Sequence, residues 1–376
     1  MPDITARICG ICPVAYQVSS INAMEDVCGV SVPSAVRALR RLLYCGEWIE
    51  SHTLHVFFLH APDYLGFRSA FEMAAEHRPV VEGALRLKQV GNELMSVVGG
   101  REIHPINQRI GGFYRAPSSR EFAAVRAKLE ECLPFARSAV EFAASLPIPE
   151  FEQDYEFVAL SEPDTYAIED GRLVSSSGLD IAPSEYDEHF EEEHVEHSTA
   201  LHSRLRSTGG SYLVGPLARY SLGSSKLSPL AREAAASVGL GAECRNPYKS
   251  IVVRAVEILY AVEEAIRIID SYVAPEPAAV SVTPVAGVGT GWSEAPRGVL
   301  WHRYEIDADG TILDARIVPP TSQNQRRIEE DLRECVERFA ALPDEELRVR
   351  CEQTIRNYDP CISCATHFLT LEVDRL

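Results

Sequence analysis

The chain has 376 residues, is 46% hydrophobic and 24% charged, and carries a formal net charge of −19. This profile suits a soluble globular protein with a large core. The negative charge argues against nucleic acid and anionic membranes as partners, and no apolar run reaches the ~18 residues that span a bilayer. Met1-Pro2-Asp3 leads toward the first motif without a secretory pattern, and the ten cysteines show no disulfide-framework spacing, so a reducing, cytoplasmic compartment is expected.

In chain order, the first marked feature is Arg7-Ile8-Cys9-Gly10-Ile11-Cys12-Pro13. It starts with almost nothing before it to pack against, so we expect either an upstream segment or a shortened form. A helix is predicted after Pro33-Ser34, with Val36, Leu39, Leu43 and Ile49 near helical spacing and the pattern running toward Leu59 before Pro62. Residues 80–98 read as another helix, ended by Gly99-Gly100. Ser118 and Glu121 form a capping-box signature that opens a helix through Ala144, closed before Pro147. Residues 165–168 and 172–175 read as a hairpin around Glu169-Asp170-Gly171. Residues 185–197 hold seven acidic residues and three histidines. A solvated helix face is the preferred reading of that run, over metal binding. Residues 250–273 form the clearest helix, with Val252, Ala255, Leu259, Val262, Ile266 and Ile269 on its apolar face. A second hairpin joins 301–306 to 311–317 through Asp307-Ala308-Asp309-Gly310. The expected fold class is α+β and predominantly helical: a long-helix bundle with small β hairpins, as a single domain over residues 1–376.

Near the end stands Asp359-Pro360-Cys361-Ile362-Ser363-Cys364-Ala365-Thr366-His367. Each C-x-x-C can place two thiolates on one metal. Four thiolates usually mean structural zinc, but zinc ribbons keep their pairs within one short segment, whereas here nearly the whole chain intervenes. A thioredoxin-like disulfide would need one C-x-x-C at a helix start in a βαβ context. Thiolates also suit nickel and iron. The other cysteines (Cys28, Cys45, Cys132, Cys244, Cys335 and Cys351) read as ordinary buried thiols.

Further blocks accompany the pairs: Gly99-Gly100-Arg101 with His104-Pro105 and Gly111-Gly112-Phe113, then Glu294-Ala295-Pro296-Arg297-Gly298, then Val318-Pro319-Pro320-Thr321. Together with both cysteine pairs, in this order, they resemble the large, catalytic subunit of nickel–iron hydrogenases. Pro13-Val14-Ala15-Tyr16 and Glu50-Ser51-His52 look most like its cytoplasmic, multi-subunit, cofactor-coupled branch. The resemblance implies reversible heterolytic cleavage of H2. It matches Cys9, Cys12, Cys361 and Cys364 to nickel ligands, with Cys12 and Cys364 also bridging to an iron that carries cyanide and carbon monoxide. Cys361 matches the first proton acceptor. Arg297 matches a guanidinium over the open metal position, oriented by Asp359. Pro320, Thr321 and neighbouring amides match the loop beside the diatomic ligands. His367 matches a ligand of a second divalent ion, magnesium or iron, and His104 is expected to be a hydrogen-bonded, buried histidine near the metals rather than a ligand.

The resemblance also implies an iron–sulfur small subunit, flavin and NAD(P) diaphorase subunits, and maturation proteins. A carboxyl-terminal peptidase would cut after His367 and remove residues 368–376; the competing reading packs that tail as a permanent edge strand. The chain departs from the family pattern in three places. It lacks the family's acidic Glu-Gly-His segment, which leaves Glu25 and Glu50 as acids that could stand in for its carboxylate. Tyr16 stands where many members have histidine, and Ser51 where many have an aspartate near the arginine. The alternative function is an inactive or structural subunit of the same fold that cannot assemble the metal site.

Overall fold

The computed structural model describes residues 1–360, so Cys361, Cys364, His367 and the tail lie outside the described residues. The longest helices are α1 (Pro13–Val27), α2 (Ser34–Thr53), α3 (Arg78–Gly99) and α4 (Ser119–Ala144), then α5 (Ser250–Asp270), α6 (Pro320–Phe339) and α7 (Asp344–Arg356). The strands longer than two residues are β1 (Val158–Ser161), β2 (Arg172–Ser175), β3 (Phe190–Glu193), β4 (His202–Leu205), β5 (Gly287–Ala295), β6 (Gly298–Ile306) and β7 (Ile312–Val318). The α+β, mostly helical expectation holds.

Helices α2, α3, α4 and α5 form the bundle, and their apolar faces make the main core. Helices α2 and α3 cross with their backbones nearly touching. A β-carbon on Gly46 would lie 3.0 Å from the Gly91 carbonyl, and one on Gly91 would lie 2.9 Å from the Gly46 carbonyl. The capping box forms as predicted at the start of α4: the Ser118 amide donates to Glu121 at 2.7 Å. After Thr53 the helix widens into a π turn, Leu54–His60, before the short helix Ala61–Leu65. Pro62 in that short helix has no amide proton to continue an ordinary ladder. The wide turn carries His55 to a carbonyl near the other end of the chain.

Strands β5, β6 and β7 form an antiparallel sheet in the order β7-β6-β5. The predicted pairing of 301–306 with 311–317 is present. Asp307 Oδ1 closes its turn by accepting from the amides of Asp309 (3.0 Å) and Thr311 (2.8 Å). Strand β5 escaped sequence reading because its glycines weaken a strand pattern. They serve packing instead, since a methyl group at Gly289 or Gly291 would overlap the backbone of Ala23 in α1.

Two expectations need correction. Residues 165–168 do not pair with 172–175; β2 pairs with β1, Val158 facing Ser175 and Ser161 facing Arg172. Buried ionic partners draw 165–168 inward instead. Tyr166 donates to Glu257 at 2.8 Å, Arg41 binds the Tyr166 carbonyl at 2.7 Å, and the Ile168 carbonyl accepts from the Glu294 amide at 2.7 Å. Nor is 185–197 a solvated helix face. It is a short helix, Tyr186–His189, followed by β3, which pairs with β4. Tyr186 and Phe190 anchor it by stacking in a buried aromatic cluster with Trp301 and Tyr212. Several of its acids are paired: Glu191 accepts from Arg204 and Arg206, each at 2.7 Å. Among the described residues, no helix is long and apolar enough to cross a membrane.

Candidate metal centre

The first cysteine pair lies in the turn that enters α1, with Cys12 as its N-cap and Pro13 at its first position. The segment before it is packed, contrary to expectation. Residues 2–8 form two short helical turns, and the buried Thr5 donates to the Tyr16 carbonyl at 3.2 Å. His104, in a left-handed conformation (φ 51°), places Nδ1 2.7 Å from the Ala6 carbonyl. It braces this segment as a hydrogen-bonding histidine, but it is half-buried rather than buried as expected. Glu47 of α2 supports the turn from beneath, accepting from the amides of Val14 (2.6 Å) and Ala15 (3.2 Å). Complete burial pushes Glu47 well above the carboxylate range, against the pull of those amides.

Cys9 and Cys12 interact through a side-chain hydrogen bond. That bond, aided by the Ile11 amide 3.4 Å from Cys9 Sγ, lowers Cys9 to about 5 and raises the buried Cys12. Arg297 acts on both sulfurs and favours their thiolates. Ala295 pairs with Gly298, so Pro296-Arg297 is the two-residue turn between β5 and β6. Gly298 has φ 133°, a value L side chains rarely adopt. Arg297 Nε donates to the Asp359 carbonyl at 2.6 Å and lies 3.3 Å from its carboxylate, so the expected Arg297–Asp359 pairing is present.

A second buried arginine builds this turn. Arg219 donates to the carbonyls of Ala295 (2.8 Å) and Pro296 (3.0 Å), to Glu294 at 2.9 Å, and through Nε and Nη2 to Glu257 at 2.8 Å each. Its guanidinium lies over the Trp48 ring, 4.5 Å from the centroid. Burial raises Glu294 to about 7, while Arg219 and His52 overcome the same burial at Glu257 and keep it below the carboxylate range. The chain leading to the second cysteine pair is held as firmly. The Asn357 carbonyl accepts from Ser250 (2.8 Å) and Arg254 (2.9 Å), the Arg356 carbonyl lies 2.7 Å from His55 Nε2, and Tyr358 donates to Asp331 at 2.5 Å. Pro360, the last described residue, is buried. Cys361 follows it directly in the sequence.

Pro320 and Thr321 occupy the first turn of α6, where backbone amides lack helical acceptors. Gln323 fastens that end to β6, donating to the Val299 carbonyl at 2.6 Å, and Asn324 exchanges hydrogen bonds with Val214 at 2.9 and 3.0 Å. Of the stand-in acids, Glu25 is engaged by Arg40 and by the Gly111 amide (2.7 Å). Glu50 is buried, feels the charges of Arg297 and Asp359, and pairs with Lys88 at 2.5 Å. Ser51 is buried, and its Oγ makes no hydrogen bond among the described residues.

The residues present fit a metal held by thiolates. Two adjacent sulfurs, one already inclined to ionise, sit beside a buried fixed cation, and that cation is anchored on the residue two before Cys361. A nickel-dependent hydrogenase family model matches residues 2–82 and 213–367. The chain belongs to the nickel-dependent hydrogenase family. It is 33% identical over 372 residues to the sulfhydrogenase 1 alpha subunit of Pyrococcus furiosus, covering 98% of this chain and 86% of that one. It is 28% identical to the beta subunit of the NAD-reducing hydrogenase of Cupriavidus necator, covering 98% and 84%. Its fold matches the crystal structure of an NAD+-reducing [NiFe]-hydrogenase with a TM-score of 0.83 and 24% identity, covering 97% and 88%. The hydrogenase chain is thus an oxidoreductase acting on H2, in a nickel-dependent family.

Sequence reading missed Arg219, Glu257, Glu47 and Arg254. Glu257 and Arg254 sit inside the apolar run of α5, where charges among buried neighbours were the available signal. Nothing in the local sequence marks Arg219 or Glu47.

Proposed function

We propose that this chain is the H2-activating subunit of a cytoplasmic, NAD(P)-coupled hydrogenase, folded as one domain over residues 1–376. Cys9, Cys12, Cys361 and Cys364 would hold nickel, with Cys12 and Cys364 shared with an iron carrying cyanide and carbon monoxide. When bound, the two metals supply the Lewis acidity and electron transfer that split H2 heterolytically. The observation that carries this reading is Arg297, which acts on Cys9 and Cys12 while gripping Asp359.

Each role follows from position and chemistry. Arg297 is a cation at every relevant pH, and its orientation is set by Asp359, so it provides a preorganised charge at the reacting position. Sγ of Cys361 is the first proton acceptor. Glu50 is the next station, and Lys88, partly exposed, leads from it toward solvent. The first-turn amides of α6, with Thr321, offer donors to anionic cyanide nitrogens. His367 would hold a second divalent ion, magnesium or iron.

The names of the Cupriavidus relative and of the structural neighbour support NAD(P) as the final acceptor. Electrons would reach it through an iron–sulfur small subunit and flavin-bearing diaphorase subunits. Maturation proteins would supply the diatomic ligands, and a peptidase would cut after His367. The test is infrared spectroscopy and H2 uptake on the complex purified from a host with its maturation proteins. Cyanide and carbon monoxide bands with H2-dependent NAD(P) reduction are expected. A complex lacking both would overturn the proposal.

A further inference from the structure

The hairpin β3–β4 and helix α6 bring together three ligand-type side chains well away from the cysteine turn in sequence. His197 follows β3, His202 begins β4, and Glu329 lies in the middle of α6. Their donor atoms all fall within 4.8 Å of one another. His197 Nε2 lies 3.1 Å from both Glu329 oxygens, and His202 Nε2 lies 3.4 Å from Oε1. The two imidazoles stand edge to face, 5.8 Å between centroids.

His202 makes the cluster more than a surface ion pair. It is only 3% exposed, and its buried Nε2 is aimed at the Glu329 carboxylate, 3.4 Å away, without meeting hydrogen-bond geometry. Leaving such an atom unsatisfied costs ~1–3 kcal/mol, and native proteins rarely tolerate it without a reason. A metal ion supplies one. Ligand atoms 2.0–2.2 Å from a tetrahedral zinc lie roughly 3.3 Å apart, close to the separations of His197 and His202 from Glu329. Two neutral imidazoles select a zinc-like transition ion over magnesium or calcium, which prefer all-oxygen shells.

We infer that His197, His202 and Glu329 form a peripheral site of two imidazoles and one carboxylate for a zinc-class divalent ion, with a fourth position open to water. The ion would tie the acidic hairpin to α6, the helix whose first turn carries Pro320 and Thr321. This assignment is independent of the nickel–iron reading, because none of its three ligands takes part in that centre.

The test is zinc titration of the full-length chain against a chromophoric chelator, in wild type and in His197→Ala and Glu329→Gln, with thermal unfolding in parallel. His197 is exposed, so His197→Ala should fold normally. Wild type should bind one more zinc per chain than His197→Ala, or bind it at least ~10-fold more tightly, a loss on the scale seen when a metal site's supporting groups are removed. Zinc should raise the unfolding temperature of wild type only, and nickel content and H2 uptake should be the same in all three chains. Equal zinc stoichiometry and affinity in all three would overturn the assignment. Magnesium binding as strong as zinc binding would overturn the choice of ion.

Discussion

Two regions of this hydrogenase are dense in charge and use it in opposite ways. Around Arg297 the charges are buried and hold main-chain carbonyls as well as one another: Ala295 and Pro296 from Arg219, Asn357 from Arg254, Asp359 from Arg297. In the hairpin β3–β4 the charges pair with one another at the surface, Glu191 with Arg204 and Arg206, Glu193 with Arg204 and Arg326. Buried ions are costly unless every partner is in place, so they fix one backbone geometry. Exposed pairs are screened and leave the geometry to the aromatic residues beneath them. The difference shows where this fold invests in precision: the turn bearing Arg297 and the strand of chain that delivers the second cysteine pair.

Mutations can break that contrast, and the largest effect is expected inside. Arg219→Met leaves Glu257 and Glu294 without their cation, and should lower stability in denaturant unfolding by ~3–5 kcal/mol, the scale for breaking a buried pair. A loss under ~1 kcal/mol would mean the network is replaceable. Arg297→Lys keeps the charge but loses the planar fork that grips Asp359. With nickel content intact, H2 turnover should fall ~10²-fold; unchanged turnover would reduce Arg297 to a structural role. Glu50→Gln should slow H2–D2O exchange by ~10²-fold, the lower range for a positioned proton-transfer group, and an unaltered exchange rate would place the relay elsewhere. The smallest effect belongs to the hairpin. Glu191→Ala should cost less than ~1 kcal/mol, and the cost should shrink further in high salt.

How much was legible in the sequence follows the same division. The long helices α2 to α5 announce themselves by apolar period, and α4 also by Ser118 and Glu121. The turn before α1 was visible in the spacing of Cys9 and Cys12, and the Arg297–Asp359 pair through family resemblance. What stayed hidden depends on long-range pairing. Strand β5 carries glycines for α1 to lie against, and β2 pairs with β1 because Arg41 and Glu257 draw the intervening segment inward. The acidic run 185–197 was misread because its charge count outweighed Tyr186 and Phe190, the two residues that anchor it. Arg219 and Glu47 were silent because a buried charge in an ordinary stretch shows its purpose only when its partners, 38 and 33 residues away, are brought to it.

The central claim is that Cys9 and Cys12, beneath Arg297, form half of a nickel–iron centre. The most direct measurement is elemental analysis of the matured complex in wild type and in Cys12→Ser. About one nickel per chain in wild type, falling to background together with H2 uptake in the variant, is the predicted result. Zinc alone at one per chain in wild type, or full nickel and H2 uptake in Cys12→Ser, would contradict it.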